Sequence, residues 1–390
     1  MTTRRTCLGI LILAAAFLPL TGQEKSTPLK SPLPLKSPQG KKNGPDVFTE
    51  VRRVVAMGDI HADPEALLAL LRQAELIGPN DTKWTGGDTH LVLTGDFVDR
   101  GPNTAAVLDL LMALEPQAQK AGGRVHALIG NHEAMNIYGD LRYVTPEDFA
   151  TYRNKDSEKK RDAQMQSALE QLKFNGTPPP DEAAWRKQFQ AQIPLGWVEH
   201  RLAFLPDGKY GKWLLKQSAV IRIDDSMYLH GGISSKYVAR TLKEMNEKIR
   251  AELSDQRNLP GSISQDEEGP LWYRGLAESN ENSEEINVLV NRILETQAVK
   301  HIVIGHTPFA AIIPRFGGKV ITIDVGLSQA FESARAFLLV EDGKYYAVHR
   351  GQKLDLPVSG GSVLQYLVSA AFFEPQGSRL RTMVDRMVVP

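Results

Sequence analysis

The sequence predicts an α/β fold of two packed, mostly mixed β-sheets flanked by helices and carrying a helical insertion. Three observations predict it. Val54-Val55-Ala56-Met57, Leu91-Val92-Leu93 and Val125-His126-Ala127-Leu128-Ile129 read as short buried strands, and helical patterns fill both gaps between them. Each run leads straight into a polar, glycine-bearing turn, so that His61, Asp96 and Asn131 recur at intervals of 35 residues. Beyond about residue 200 the pattern changes to strands and tight turns. A repeated strand-helix-strand unit builds a parallel sheet whose strand ends share one edge, which places the three polar turns in one crevice.

Taken in order, residues 1-22 carry Arg4 and Arg5, the apolar run Leu8 to Leu20 and then Thr21-Gly22. That is the pattern of a signal peptide, and the run is shorter than the roughly 20 apolar residues of a membrane span. A retained anchor and, through Thr3-Arg4-Arg5, a twin-arginine signal are the alternatives. The protein is therefore expected to be exported, periplasmic or secreted. Cys7 is the single cysteine and falls inside this segment, so the mature chain has no cysteine nucleophile and no disulfide. Basic and acidic residues balance at 46 each, and nothing marks a nucleic-acid binder. Residues 23-48 form a Pro/Lys/Ser-rich tether in which Pro-Leu-Lys-Ser-Pro begins at Pro28 and again at Pro34.

One catalytic-sized domain is expected over 49-350. Asp63 and Pro64 read as the N-cap and first residue of a helix through Leu71, and Thr104 to Leu114 as the next helix. Val144-Thr145-Pro146-Glu147-Asp148 reads as a helix start that opens a polar helical insertion over about 145-200, interrupted by Pro178-Pro179-Pro180. Ala219 to Ile223 and Met227-Tyr228-Leu229 then flank Asp224-Asp225-Ser226, Ile302-Val303-Ile304 leads into Gly305-His306, and Gly317-Gly318 and Asp342-Gly343 mark hairpins. These strands are expected to form a second, largely antiparallel sheet, with 351-390 as a C-terminal extension.

The chemistry centres on Thr94-Gly95-Asp96-Phe97-Val98-Asp99-Arg100-Gly101, which puts two carboxylates and a guanidinium into one turn. An Asp at the end of a buried strand offers oxygens to two cations, and the planar fork of Arg100 suits phosphate. Asp59 and His61, in a D-x-H arrangement, are assigned to one cation, with Asp96 bridging to a second held by Asn131, His230 and His306. This shell of oxygens and imidazoles suits two divalent or trivalent ions, Mn, Fe or Zn, better than Ca. His90, His126, His200, His301 and His349 lack such a setting and are assigned structural roles.

Gly58-Asp59-Ile60-His61, Gly95 to Gly101, Gly130-Asn131-His132-Glu133, His230-Gly231-Gly232 and Gly305-His306-Thr307 resemble, in order and spacing, the signature segments of the phosphoprotein phosphatase superfamily of calcineurin-like metallophosphoesterases. Asn136 to Thr145, Gly196 to Phe204, Gly269-Pro270-Leu271-Trp272-Tyr273-Arg274-Gly275 and Ile323-Asp324-Val325-Gly326 resemble its Shewanella-like protein phosphatase branch. The resemblance runs from about Val54 to about Ala334 and implies the metallophosphoesterase fold with Asp59, His61 and Asp96 on the first metal and Asp96, Asn131, His230 and His306 on the second. It also implies that Arg100 and Arg274 bind phosphate and that His132, oriented by Asp99, is the general acid.

The activity so implied is hydrolysis of phosphorylated protein or peptide, phosphotyrosine first, by in-line attack of a metal-bridging hydroxide. No nucleic-acid partner and no transmembrane span in the mature chain are expected. A nucleotide or dinucleoside-polyphosphate hydrolase is the alternative enzyme, and a non-catalytic metal or phosphate-binding module the non-enzymatic one. Ala62 stands where many relatives have glycine. If residues 1-22 are cleaved, N-terminal sequencing of protein recovered from its host starts near Gln23, whereas an intact Met1 or Thr2 on extracytoplasmic protein identifies an anchor.

Overall fold

The computed structural model describes residues 46–388 apart from residue 332, so the leader and the tether as far as residue 45 lie outside the described residues. The chain opens with β1 (Val47–Phe48), β2 (Arg53–Met57), α1 (Pro64–Gln73), β3 (His90–Leu93), α2 (Thr104–Lys120), β4 (Arg124–Ala127) and α3 (Asn131–Tyr138). β2, β3 and β4 are almost wholly buried, which is why they read as continuous apolar runs. They pair in parallel, with Val54 opposite His90 and Leu93 opposite Ala127. α1 starts where expected: the Asp63 side chain accepts from the Ala66 N–H at 2.8 Å, and Pro64 occupies a position that needs no N–H. α2 runs past Leu114 to Lys120, through Pro116. Burial of Val107, Leu108, Leu111, Leu114 and Ala118 along one side carries it over the missing donor.

The insertion consists of α4 (Pro146–Thr151), α5 (Ser157–Phe174), α6 (Glu182–Gln192) and α7 (Trp197–Phe204), and α8 (Lys209–Leu214) follows. Met165, Phe189 and Ile193 give α5 and α6 a small apolar core of their own. Next come β5 (Val220–Ile223), β6 (Ser226–Leu229), α9 (Leu242–Ser254), α10 (Gly275–Glu278), α11 (Glu284–Gln297), β7 (His301–Ile304), β8 (Ile313–Arg315) and β9 (Val320–Thr322). With β1 they form a sheet in the order β1-β5-β6-β7-β9-β8. This second sheet is mixed rather than largely antiparallel. β1 with β5, β6 with β7 and β7 with β9 are parallel, and β5 with β6 and β8 with β9 are antiparallel. The cause is the long crossover through α9, α10 and α11, which returns the chain to run β7 alongside β6. Tight-turn residues disclose only the two hairpins.

The chain ends with β10 (Ala336–Glu341), β11 (Lys344–His349), β12 (Gln352–Asp355), α12 (Val363–Phe373) and α13 (Arg379–Val388). The Asp342-Gly343 hairpin belongs to the first sheet, where β10 lies antiparallel to β2 and the order is β12-β11-β10-β2-β3-β4. Residues beyond 350 thus continue the fold. β12 pairs with β11, and the Tyr366 hydroxyl donates to Ile312 O at 2.9 Å and lies 3.0 Å from His349 Nε2. At the other end, Val47 and Phe48, assigned to the tether, pair with Arg222 and Ile223. No helix among the described residues is long and apolar enough to cross a membrane.

The two sheets and their loops meet closely at Gly95, where φ is +106° and a Cβ would lie 2.7 Å from Gly130 backbone atoms and 2.8 Å from His230 Nδ1. Gly95→Ala is expected to cost about 3 kcal/mol. Gly87→Ala, at φ +56° with nothing within 4 Å, is expected to cost about 1 kcal/mol. Chemical denaturation measures both, and equal costs would show that the loops at Gly95 carry slack.

Candidate metal centre

Strand ends from both sheets supply the site. His61, Asp96 and Asn131 follow β2, β3 and β4, while His230 and His306 follow β6 and β7. The turns are stitched together by backbone bonds: the N–H groups of Ile60 and His61 both donate to Asp96 O at 3.0 Å, and that of Gly305 donates to His230 O at 2.9 Å. The Glu133 carboxylate accepts from the N–H groups of Gly130 (2.8 Å), Asp96 (2.8 Å), Phe97 (3.0 Å) and Val98 (3.3 Å). His61, Ala62, Asp96, Asp99, Arg100 and His306 all have φ between +46° and +66°. Non-glycine residues in this left-handed region cost about 1–2 kcal/mol each, so the surrounding structure imposes the geometry. The turn at Ala62, at φ +53°, is one that glycine would adopt freely.

All six predicted ligands, Asp59, His61, Asp96, Asn131, His230 and His306, are buried and converge. Asp96, His230 and His306 each offer an atom within 4.8 Å of the others, and so do His61, Asp96 and His132. Asp59 Oδ2 lies 3.9 Å from His61 Nε2. Asp96 therefore belongs to both clusters, as a bridging ligand must. A backbone carbonyl orients each ligand ring: His61 Nδ1 lies 3.1 Å from Val98 O, His230 Nδ1 2.9 Å from Thr94 O, and His306 Nε2 3.1 Å from Trp272 O. The nitrogen that donates to the carbonyl leaves the other with a lone pair. In that tautomer His230 Nε2 faces Asn131 Oδ1 at 2.8 Å and Asp96 Oδ2 at 3.2 Å. Three lone pairs then meet, an arrangement that a cation or a second ring proton satisfies.

The electrostatics point the same way. Burial, with Asp324 and Asp96 adding to it, pushes the Asp59 carboxyl well above the usual range. Burial and then Asp96 push Glu133 up to about 8, and burial foremost lifts Asp324 to about 6. Burial also works against the charge of Asp96, but His230, His132 and His61 outweigh it and hold that carboxyl well below the usual range. Burial takes His61 down to about 3. Four carboxyl groups buried together fit a pair of multivalent cations, because like charges in so dry a place are otherwise costly to ionise.

His132 has a different partner. Its Nδ1 lies 2.7 Å from Asp99 Oδ2, not against a carbonyl, and its Nε2 faces Asp96 Oδ2 at 3.7 Å. Burial opposes its charge, yet Asp96 and Asp99 outweigh that and raise its pKa. Asn136 Nδ2 donates to the second Asp99 oxygen at 2.8 Å. Arg100 is exposed beside the crevice, its Cζ 4.7 Å from the Tyr143 ring centre and 5.6 Å from that of Phe331. One edge of the Arg274 guanidinium is bound to the His306 loop, donating to His306 O at 2.8 Å and Thr307 Oγ1 at 3.0 Å. Trp272 beside it donates its indole N–H to Ser264 O at 3.0 Å, a packing role. Sequence reasoning assigned no role to Glu133, Asp324, Asn136, Tyr143 or Phe331. Asp324 carried a usable signal, since it ends an apolar run as Asp96 does.

A carboxylate shared between two ligand clusters, with a guanidinium alongside, is how a phosphoesterase organised on a metal pair is built. The chain belongs to the calcineurin-like phosphoesterase family, whose sequence model matches residues 52–322. It is 34% identical over 316 residues to an uncharacterized protein of Schizosaccharomyces pombe, spanning 78% of this chain and 82% of that one. Identity to Shewanella-like protein phosphatase 2 of Arabidopsis thaliana is 30% over 292 residues, 72% of this chain and 73% of the relative. Among solved structures, the cold-active protein-tyrosine phosphatase of a psychrophilic Shewanella species superposes with a TM-score of 0.61 at 29% identity, covering 80% of this chain and 82% of that one. The family uses a binuclear metal centre, and family and homology together make this protein a metal-dependent phosphoesterase.

Because Asp96 sits in both clusters, Asp96→Asn is expected to lose more bound metal than Asn131→Ala, which touches one. Elemental analysis of the purified variants measures this. Retention of the full metal content together with full activity in Asp96→Asn would remove the bridging role.

Proposed function

We propose that the protein is a phosphomonoesterase that hydrolyses phosphorylated proteins or peptides, phosphotyrosine foremost, with His132 as the general acid. The observation that carries this reading is the 2.7 Å contact of His132 Nδ1 with Asp99, on a ring whose Nε2 faces the shared Asp96 at 3.7 Å. Asp59, His61 and Asp96 would hold one cation and Asp96, Asn131, His230 and His306 the other, with Mn, Fe or Zn favoured by the donor set. Such a pair supplies Lewis acidity toward a water and toward phosphoryl oxygens.

The chain's own residues do the rest. Arg100 takes phosphoryl oxygens through its open N–H edge, and Arg274 adds a second guanidinium from the His306 loop. Asp99 keeps the proton of His132 Nδ1 engaged, so that Nε2 is the atom that gives a proton to the departing oxygen. Asn136, bound to the other Asp99 oxygen, keeps that carboxylate from turning. The substrate class is supported by relatives named as a protein phosphatase and a protein-tyrosine phosphatase. The apolar segment at Leu8 to Leu20 supports the further proposal that the protein acts outside the cytoplasm.

An acid matters in proportion to how poorly the leaving oxygen bears negative charge. A nitrophenolate leaves readily, a tyrosine phenol has a pKa of about 10, and a serine alkoxide is worse. His132→Asn is expected to lose about 10-fold in kcat/KM on nitrophenyl phosphate, more on a phosphotyrosine peptide and about 1,000-fold on a phosphoserine peptide. Asp99→Asn should follow the same order more weakly. Equal losses on all three substrates, with metal content unchanged and chemistry limiting the rate, would mean that His132 positions phosphate or a ligand and is not the proton donor.

A further inference from the structure

Arg100 and four aromatic side chains close into a ring. His61 stacks on Phe331 with centroids 5.3 Å apart and planes 27° from parallel. Phe331 and Tyr143 lie 5.6 Å and 4.7 Å from Arg100 Cζ. Tyr143 lies 4.9 Å from the His132 ring, and His132 meets His61 edge-on at 5.0 Å. Each aromatic residue thus ties Arg100 to a different part of the site, Phe331 to a metal ligand and Tyr143 to the proton donor. The backbone repeats the link, since the Arg100 N–H donates to Tyr143 O at 2.9 Å. That bond holds a strained turn, with Asp99 at φ +66° and Arg100 at φ +62°.

An exposed arginine samples many rotamers unless something holds it, and a residue that meets a phosphoryl group has to be held. A carboxylate would hold it but would also neutralise the charge that phosphate needs. Among the described residues no carboxylate forms an ion pair with Arg100; its guanidinium rests on two ring faces instead. An aromatic face attracts the cation through its quadrupole and leaves the N–H edge and the charge open.

We propose that Tyr143 and Phe331 are positioning residues that hold Arg100 for the phosphoryl group and fix it relative to His61 and His132. The inference rests on the phosphomonoesterase reading of the site. It is tested by the inhibition constant of inorganic phosphate against the manganese-loaded full-length enzyme, with metal content and thermal midpoint measured alongside. Tyr143→Leu and Phe331→Leu should each weaken phosphate by roughly 3- to 30-fold at unchanged metal content, the range expected for one cation–π contact. Tyr143→Phe, which keeps the ring, should retain the affinity of the unaltered protein. In an Arg100→Ala background the two leucine substitutions should lose their effect, because they act through the guanidinium. Unchanged phosphate binding in both leucine variants overturns the proposal, as does a loss of the same size with and without Arg100. If Arg100→Ala alone leaves phosphate binding unchanged, the assignment of Arg100 to phosphate falls as well, a result separate from failure of the aromatic pair.

Discussion

One buried carboxylate holds the crevice together. Glu133, in the first turn of α3, accepts from the Gly130 N–H behind it and from three consecutive N–H groups of the turn after β3. It closes a helix end and seats a loop with the same two oxygens. Asn131 and His132 are its chain neighbours, and Asp96, Asp99 and Arg100 ride on the turn it grips. His132, the shared Asp96 and the Arg100 guanidinium therefore take their relative positions from this group. Its charge is disfavoured by burial and by Asp96, so the clamp that orders the loops also deepens the need for cations.

The histidines of the chain have unlike partners. His61, His230 and His306 each face a backbone carbonyl, which fixes the ring and turns its other nitrogen toward the site. His132 faces a carboxylate, which favours a ring that carries a proton. His90 and His126 face each other at 3.1 Å, beneath Phe48. His200 is fully buried among Phe149, Tyr152 and Phe204 with neither ring nitrogen bonded, and burial takes it down to about 3. His301 Nδ1 also faces a carbonyl, Gly318 O at 2.8 Å, so it is convergence on Asp96 that sets the four histidines at the site apart from the rest.

The convergence of these residues was legible because its signal is local. An apolar run followed by a polar residue beside a glycine states both the strand and its polar end, and it did so for Asp59, Asp96, Asn131, His230 and His306. What lay between distant segments was not. The sense of β7 beside β6 depends on a crossover of three helices, and the antiparallel place of β10 beside β2 joins Leu338 to Ala56. Neither pairing leaves a trace in the intervening residues. Tyr143 and Phe331 were invisible for the same reason: an aromatic residue in a loop declares nothing until the chain brings it to a guanidinium. The helix read as ending at Leu114 continues through Pro116 to Lys120, because its buried face outweighs the missing donor.

The Asp59 side chain receives the backbone N–H of His306 from 247 residues away. That separation sets an order of events. A chain still being made has its first three turns long before it has His306, and the carboxylates of those turns meet His230 and His306 only when the second sheet docks. The full set of residues fit to hold metal is then a property of the finished fold and not of any early segment, and it is complete only in the compartment where folding ends.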